Sequence, residues 1–300
     1  MLDRVTLGQD LIDSRGGILA RAGAVLSARS IAEAAVAAPA LPRVALGATR
    51  LAAEIGAPLE APVYRHLFAG AGIRAAVERA LLEVRLPEAL FEELAAVARA
   101  APALHVHALA TAAVAVRMLL AAVGDARGVP DLAAAGLLHD LGMRHLPLRL
   151  ARNRDRLSGA EVAEVASHPI LGAFHLAARL GDHPAVAAAH GHHHRCGQGY
   201  PLLAEAPSRS VEVVAIASAF AALTAERPYR SDAYDARAAV DVLAAEARER
   251  TADLGTVRLL VHALRGGRGD PRTVQLAASR GGQVPEVNRH TPVASPRASP

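Results

Sequence analysis

The stretch LLHDLG, residues 137–142, sets an imidazole and a carboxylate side by side at the end of an apolar half-turn. Such a half-turn predicts that His139 and Asp140 emerge from the wall of a hydrophobic core. Adjacent residues on a helix point about 100° apart, so both reach one ion only if it lies between their directions. A neutral imidazole next to a carboxylate suits a hydrolytic transition metal such as iron or manganese, and zinc less exclusively. A dipeptide alone does not separate such a site from a surface pair, so the surrounding residues decide.

Around this stretch the chain reads as helix. Segments 72–84, 87–100, 106–123, 130–142, 159–180, 183–194, 210–225 and 233–264 carry apolar residues at helical period. Positions 109, 113, 116, 120 and 123 predict one buried face, and Ser158-Gly159-Ala160-Glu161 reads as a capping box. Composition agrees: 52% hydrophobic but only 3% aromatic residues, which favours closely packed alanine-rich helices over a β-sandwich. Residues 1–60 differ, with short apolar runs broken by Gly-rich and Asp-Ser turns, which predict a few strands and then a helix near 28–37. Residues 266–300 turn polar and Pro/Ser-rich, predicting a short hairpin around 272–287 and a disordered tail. The expected division is an accessory module over 1–60, a helical domain over 61–265 and a C-terminal extension over 266–300.

Charge and cysteine content restrict the function classes. The net charge is +4, and all 33 cationic side chains are arginine. They are spread along the chain without aromatic interleaving, which argues against a nucleic-acid polymer as partner. The single cysteine, Cys196, excludes an intramolecular disulfide and fits a reducing compartment. Residues 1–20 carry charges and no apolar core of a secretory signal. Apolar stretches such as 213–225 are too short to span a bilayer, so a cytoplasmic location without membrane attachment is expected.

Eleven of the fourteen histidines lie between residues 105 and 194. A lone histidine on a helix is more often a core or surface group than a ligand, and His105, His145, His175, His183 and His190 carry no spacing that singles them out. Others fall into an ordered set. His107 precedes His139 by 32 residues, His168 follows it by 29, HHHRCGQGYP occupies 192–201, and ALTAERPYR ends at Arg230. In this order and at these spacings the motifs resemble the HD superfamily of metal-dependent phosphohydrolases, and in particular the HD-GYP cyclic di-GMP phosphodiesterases. The resemblance covers about residues 100–235. It implies an all-α HD-type helical bundle, with the small β-containing N-terminal module and short C-terminal extension appended.

The resemblance also implies a site. One divalent transition-metal ion, iron or manganese, would be held by His107, His139 and Asp140. A second would be held by Asp140 as a bridge with His168, His192 and His193. His139 and Asp140 would be the catalytic pair. Arg227 and Arg230 would grip phosphate, an arginine role suited to paired oxygens, with solvated arginines at a helix end as the alternative. Gly199, Tyr200 and Pro201 would shape the pocket rim. The HHHR register remains open, since a gapless alignment from Tyr200 backwards pairs Gly191 with His192 instead. Cys196 reads as a small turn residue or a soft metal ligand.

Several positions depart from the family pattern. Ser218 stands where a late metal-binding Asp is expected, Ala221 replaces a second Asp, and Met143 replaces the lysine after the HD motif. His194 and Cys196 replace a Glu and an Asp in the GYP motif, and Ala103 replaces an acidic residue that supports a third metal in some relatives. The implied activity is hydrolysis of cyclic di-GMP to pGpG or GMP in bacterial second-messenger signalling, with a homodimer or a signalling protein as possible partner. The alternatives are a weakened or inactive relative that binds cyclic di-GMP or a partner protein, and an HD hydrolase of another nucleotide.

Overall fold

Short strands and one helix occupy the first forty residues of the computed structural model, which describes residues 3–124, 127–196, 198–203, 205–277 and 279–290. Strands β1 (Arg4–Thr6), β2 (Leu11–Ile12), β3 (Ile18–Ala20) and β4 (Val25–Ser27) precede helix α1 (Ala28–Ala37), matching the expectation for this region. β1 pairs antiparallel with β4, Val5 opposite Leu26, and β2 pairs with β3, Leu11 opposite Ala20. The Asp13 carboxylate closes the β2–β3 turn by accepting from the Arg15 and Gly17 amides, both at 2.8 Å. It also forms an ion pair with Arg179 from the helical region.

Strand β5 (Arg43–Ala45), helix α2 (Gly56–Glu60) and helix α3 (Ala71–Leu82) lead to β6 (Arg85–Pro87). β5 and β6 pair antiparallel, Val44 opposite Leu86, so residues on both sides of position 60 share one ladder. The helical bundle continues with α4 (Glu88–Ala100), α5 (Pro102–Val123), α6 (Val129–Leu138), α7 (Leu148–Ala151), α8 (Gly159–Val165), α9 (His168–Leu180) and α10 (Pro184–Gly191). A two-residue hairpin, β7 (His194–Arg195) and β8 (Gln198–Gly199), precedes α11 (Arg209–Thr224), α12 (Ala236–Arg248) and α13 (Leu254–Leu264).

α5 is the axis of the bundle, packed by α3, α4, α6, α11 and α13. The expected single buried face is there in Leu109, Ala113 and Val116, but residues 107–118 are buried all round, whereas Val123 at the end is exposed. Small side chains permit this close packing. A Cβ on Gly136 of α6 would lie 2.6 Å from the Ala112 Cα. Contrary to the expectation from sequence, α5 is long and apolar enough to cross a bilayer, but 67% of that window is buried inside the protein. Its one charged residue, Arg117, donates to the Leu67 and Ala263 carbonyls at 2.9 and 3.0 Å.

Two expected helices are broken, each for a local reason. Within 159–180 the chain turns between α8 and α9, because Pro169 at the second position of α9 has no N–H for the Val165 carbonyl. The capping box opening α8 forms as read, with Glu161 N–H donating to Ser158 Oγ at 3.3 Å and Ser158 N–H to Glu161 Oε2 at 2.9 Å. Within 233–264 the break follows Arg250 in a left-handed conformation, and Asp253 caps α13 by accepting from Thr256 N–H at 2.7 Å.

The hairpin expected around 272–287 does not form among the described residues. After a 3-10 turn at Pro271–Thr273, residues 279–290 form a strap laid along residues 229–241. Gly281 N–H donates to Asp241 Oδ2 and Gln283 N–H to Asp235 Oδ2, both at 2.7 Å, and Arg230 bridges Asn288 antiparallel. The strap bonds to a neighbouring segment because Asp235 and Asp241 offer acceptors that Gly281 and Gln283 reach. Of the disordered tail expected after 287, residues 288–290 are instead held against Tyr229 and Tyr234, and 291–300 lie outside the described residues.

The 3-10 turn Leu141–His145 after the HD pair is fixed from behind by a buried ionic cluster. Glu93 of α4 accepts from Ser14 N–H at 3.2 Å, and its Oε2 lies 2.9 Å from His175 Nε2 and 3.7 Å from Arg144. His175 Nδ1 in turn lies 3.1 Å from His145 Nε2. Burial alone would raise the Glu93 pKa, but His175, then Arg144 and the Ser14 amide outweigh it and hold the carboxyl below its ordinary value. A depressed carboxyl pKa contributes stability that is present above the unfolded value, about 4.3, and is lost as pH falls through the folded one. Glu93→Gln is therefore expected to flatten the acid limb of a thermal-unfolding profile below about pH 4.3. An unchanged limb would contradict this account of the cluster.

Candidate metal centre

Three of the histidines marked by spacing stand at helix ends, and that placement aims their rings. The last carbonyls of a helix have no intrahelical donor. His139 follows the end of α6, and its Nδ1–H donates to the Gly136 carbonyl at 2.7 Å. His192 follows the end of α10 and donates from Nδ1 to the Ala188 and Ala189 carbonyls at 3.0 and 3.1 Å. His168 opens α9, and its Nδ1–H takes the Val165 carbonyl that Pro169 leaves free, at 2.7 Å. With Nδ1 protonated in each ring, Nε2 keeps its lone pair and points inward.

The inward nitrogens meet at Asp140, whose two oxygens face different groups. Oδ1 lies 3.1 Å from His168 Nε2 and 3.3 Å from His192 Nε2. Oδ2 lies 3.6 Å from His107 Nε2 and 3.7 Å from His139 Nε2. The result is two sets of ligand atoms sharing one carboxylate, Asp140 with His168, His192 and His193, and Asp140 with His107 and His139, each set within 4.8 Å. All six histidine and aspartate ligands expected from the resemblance are thus brought together. Both members of the 192–193 pair are in the cluster. Gly191, required by the other register, is buried against Val211 and Leu203.

His107 is the exception. It lies in mid-helix, where backbone carbonyls are already bonded, and its buried Nδ1 has no hydrogen-bond partner. Its Nε2 is 3.3 Å from both His139 Nε2 and Ser218 Oγ. Ser218 of α11 therefore occupies the place where the family pattern has an aspartate, and it adds a hydroxyl but no charge.

The electrostatics suit a cation. Burial, then the nearby Arg227 and His139, pushes the His107 pKa well below its ordinary value, and burial is the main cause holding His139 at about 4. Both rings are neutral near pH 7 with lone pairs available. Burial alone would raise the Asp140 pKa, yet the surrounding His139, His168 and His192 hold it well below the carboxylate range. A half-buried carboxylate facing ring nitrogens that backbone bonds have already aimed fits a divalent transition metal.

A cleft of about 530 Å³ opens over the cluster, with His107, Asp140, His168 and His193 in its lining. Tyr200 and Arg227 also line it, as expected, and Tyr200 stacks on His193 with ring centroids 4.5 Å apart. Met143 and Ala103 line it where the family pattern has lysine and an acidic residue. Gly199, at φ 89°, ends β8 opposite His194, and Pro201 two residues on is buried; neither belongs to the cleft lining.

Arg230 departs from the expected phosphate role. Its guanidinium donates to the Leu223 and Ala222 carbonyls, both at 2.8 Å, and lies over the Tyr229 and Tyr234 rings. It caps the C-terminus of α11, where the last carbonyls have no donor within the helix, and it is not part of the cleft lining. Cys196 is exposed in the β7–β8 turn, outside both ligand sets.

The histidines without a marked spacing have structural places. His105 is 2.7 Å from Glu54, His145 and His175 join the Glu93 cluster, and His183 caps α10. Burial holds His190 at about 4. Sequence reasoning missed Arg152, Arg154, Asp155, Arg289 and His290, which line the outer cleft. The loop after α7 and the strap carry them, and no periodicity in the sequence connects these two segments.

An aspartate whose two oxygens face histidines from four helices and their ends gives this α-bundle a cluster that could hold divalent metal. Residues 86–253 match the family described as HD domain, and the chain belongs to that family. The reading of an HD phosphohydrolase bundle is borne out. A 3'3'-cGAMP-specific phosphodiesterase 1 of Vibrio cholerae serotype O1 is 34% identical over 101 residues, covering 32% of this chain. The match spans 23% of that relative's length. Bd1817, an HDG"Y"P protein from Bdellovibrio bacteriovorus, aligns at a TM-score of 0.47 and 20% identity, over 72% of this chain and 69% of its own.

Proposed function

We propose that this protein is a metal-dependent phosphodiesterase of cyclic dinucleotides, with cyclic di-GMP as substrate. The observation that carries the reading is the division of the Asp140 oxygens between two histidine groups at the floor of an arginine-lined cleft. Two divalent ions, iron or manganese, held by His107, His139, Asp140, His168, His192 and His193 would activate water and neutralise charge on the phosphodiester. The protein's own part is positional. The helix-end carbonyls hold three rings in one tautomer, and Asp140 stays ionised between them. Arg227, which lines the cleft beside His107, would donate to a pair of non-bridging phosphate oxygens. Position 143 gives no proton to a leaving group, since Met143 has none to give.

A second reading, ligand binding without turnover, is favoured by Ser218, because one anionic ligand is missing from the His107 side. One experiment tests both. Anaerobically purified protein is assayed for metal content and for turnover of cyclic di-GMP and 3'3'-cGAMP with added Mn²⁺ or Fe²⁺. Ser218→Asp is expected to raise metal affinity by about tenfold or more and to increase turnover. Less than one tightly bound metal and no turnover in either form sinks the enzyme reading, and binding of cyclic di-GMP without turnover favours the second.

A further inference from the structure

The C-terminal strap lies outside the matched HD region, which ends at residue 253, yet it supplies Arg289 and His290 to the cleft lining. Backbone pairing sets their position. Ser231 N–H donates to the Val287 carbonyl at 3.0 Å, and Arg289 N–H donates to the Tyr229 carbonyl at 2.9 Å. Asn288 donates to the Tyr234 hydroxyl at 3.3 Å, and His290 packs on Tyr229 with centroids 5.7 Å apart. The strap is thus fixed to the residues that directly follow Arg227.

From there Arg289 Nη1 reaches Asp155 Oδ1 on the loop after α7, at 3.1 Å. Asp155 is itself held by a turn in which its N–H donates to Asn153 Oδ1 at 2.9 Å. Both side chains are largely exposed, at 57% and 79%, so the ion pair is weak and readily exchanged. The outer cleft is otherwise cationic: Arg152, Arg154, Arg227 and Arg289 line it with one carboxylate, Asp155, apart from Asp140 in the histidine cluster. Arg152 is engaged with the Ala100 carbonyl at 3.2 Å. A cyclic dinucleotide has two phosphates, and the histidine cluster with Arg227 accounts for one.

We propose that Arg289 is a substrate-contact residue that exchanges its ion pair with Asp155 for the second phosphate of a cyclic dinucleotide. This inference rests on the functional reading above. Asp155 then acts as an internal competitor for the anion and holds Arg289 at the mouth until substrate arrives. A merely structural ion pair behaves differently, because removing either partner breaks the same contact and shifts binding in the same direction.

The test compares wild type, Arg289→Ala and Asp155→Ala with cyclic di-GMP in Mn²⁺, reading KM, or Kd where binding occurs without turnover. Arg289→Ala is expected to weaken binding about tenfold, the loss of one charge-assisted contact. Asp155→Ala is expected to tighten it, by about twofold to fivefold, while thermal unfolding of the two variants changes alike. Equal or same-direction shifts, or no shift in Arg289→Ala, overturn the proposal and leave the functional reading standing. If wild type neither binds nor hydrolyses cyclic di-GMP, the functional reading fails and this inference fails with it.

Discussion

Asp140→Asn is expected to abolish metal-dependent phosphodiester hydrolysis and to remove the stabilisation that divalent metal gives the wild-type protein. The substitution preserves volume and changes charge, so it isolates the electrostatic role of the bridge. In the wild type, each Asp140 oxygen faces a different histidine group, and the carboxylate is the only anion in either ligand set. An asparagine offers one neutral oxygen to two groups and turns an amide toward the other. Metal that binds only the folded state stabilises it by about 4 kcal/mol at a thousandfold excess over Kd. Adding Mn²⁺ should therefore raise the wild-type Tm and leave that of Asp140→Asn unchanged. In the metal-free protein the variant should fold, since it removes a half-buried charge. A metal-induced shift that persists in Asp140→Asn would show that the ions are held elsewhere.

Gly142→Ala is expected to be the most disruptive glycine-to-alanine substitution among the described residues. Its Cβ would fall 2.0 Å from the His168 carbonyl oxygen and 2.7 Å from the Gly172 amide nitrogen. Both obstacles are backbone, so no rotamer change relieves the clash and α9 must move. Overpacking commonly costs 1–3 kcal/mol, and a clash this deep belongs at the upper end, about 3 kcal/mol or a Tm drop of about 6–12 °C. The same motion carries His168 away from Asp140, where they now stand 3.1 Å apart. Metal affinity and turnover should fall together, since displacement of a reacting group by about 1 Å can cost about a hundredfold in rate. Gly159→Ala is the control: at the start of α8 nothing lies within 4 Å of the added methyl, and stability should stay unchanged or rise slightly. A Gly142→Ala protein with wild-type Tm and metal affinity would refute the close approach of the HD turn to α9.

These two substitutions mark how much of the site is written locally. LLHDLG shows the pair and the glycine, and the spacings to His107 and His168 show which histidines belong with them. The physical reason for Gly142 is invisible in the sequence, because the carbonyl it must clear belongs to a residue 26 positions away. Pro169 shows the reverse case. Its effect is local, since it ends α8 and frees a carbonyl, yet its consequence is to aim the His168 ring. The two residues of RPYR divide in the same way. The motif presents Arg227 and Arg230 as equals, and only the fold sends one into the cleft lining and the other onto the last carbonyls of α11.

The amino-acid sequence determined what depends on short-range pattern: the helical zones, the N-terminal strands, the capping box at Ser158 and the ordered histidine set. Periodicity and spacing suffice there because one turn of helix fixes which side chains share a face. The tertiary structure alone decided what depends on where segments distant in sequence meet. It divided the oxygens of Asp140 between two histidine groups, brought His192 and His193 into the cluster, and placed Ser218 against His107. It also laid the strap over the mouth of the cleft, where Arg289 meets Asp155 across 134 residues of chain. Such contacts follow from packing helices around α5, and no window of sequence contains both partners.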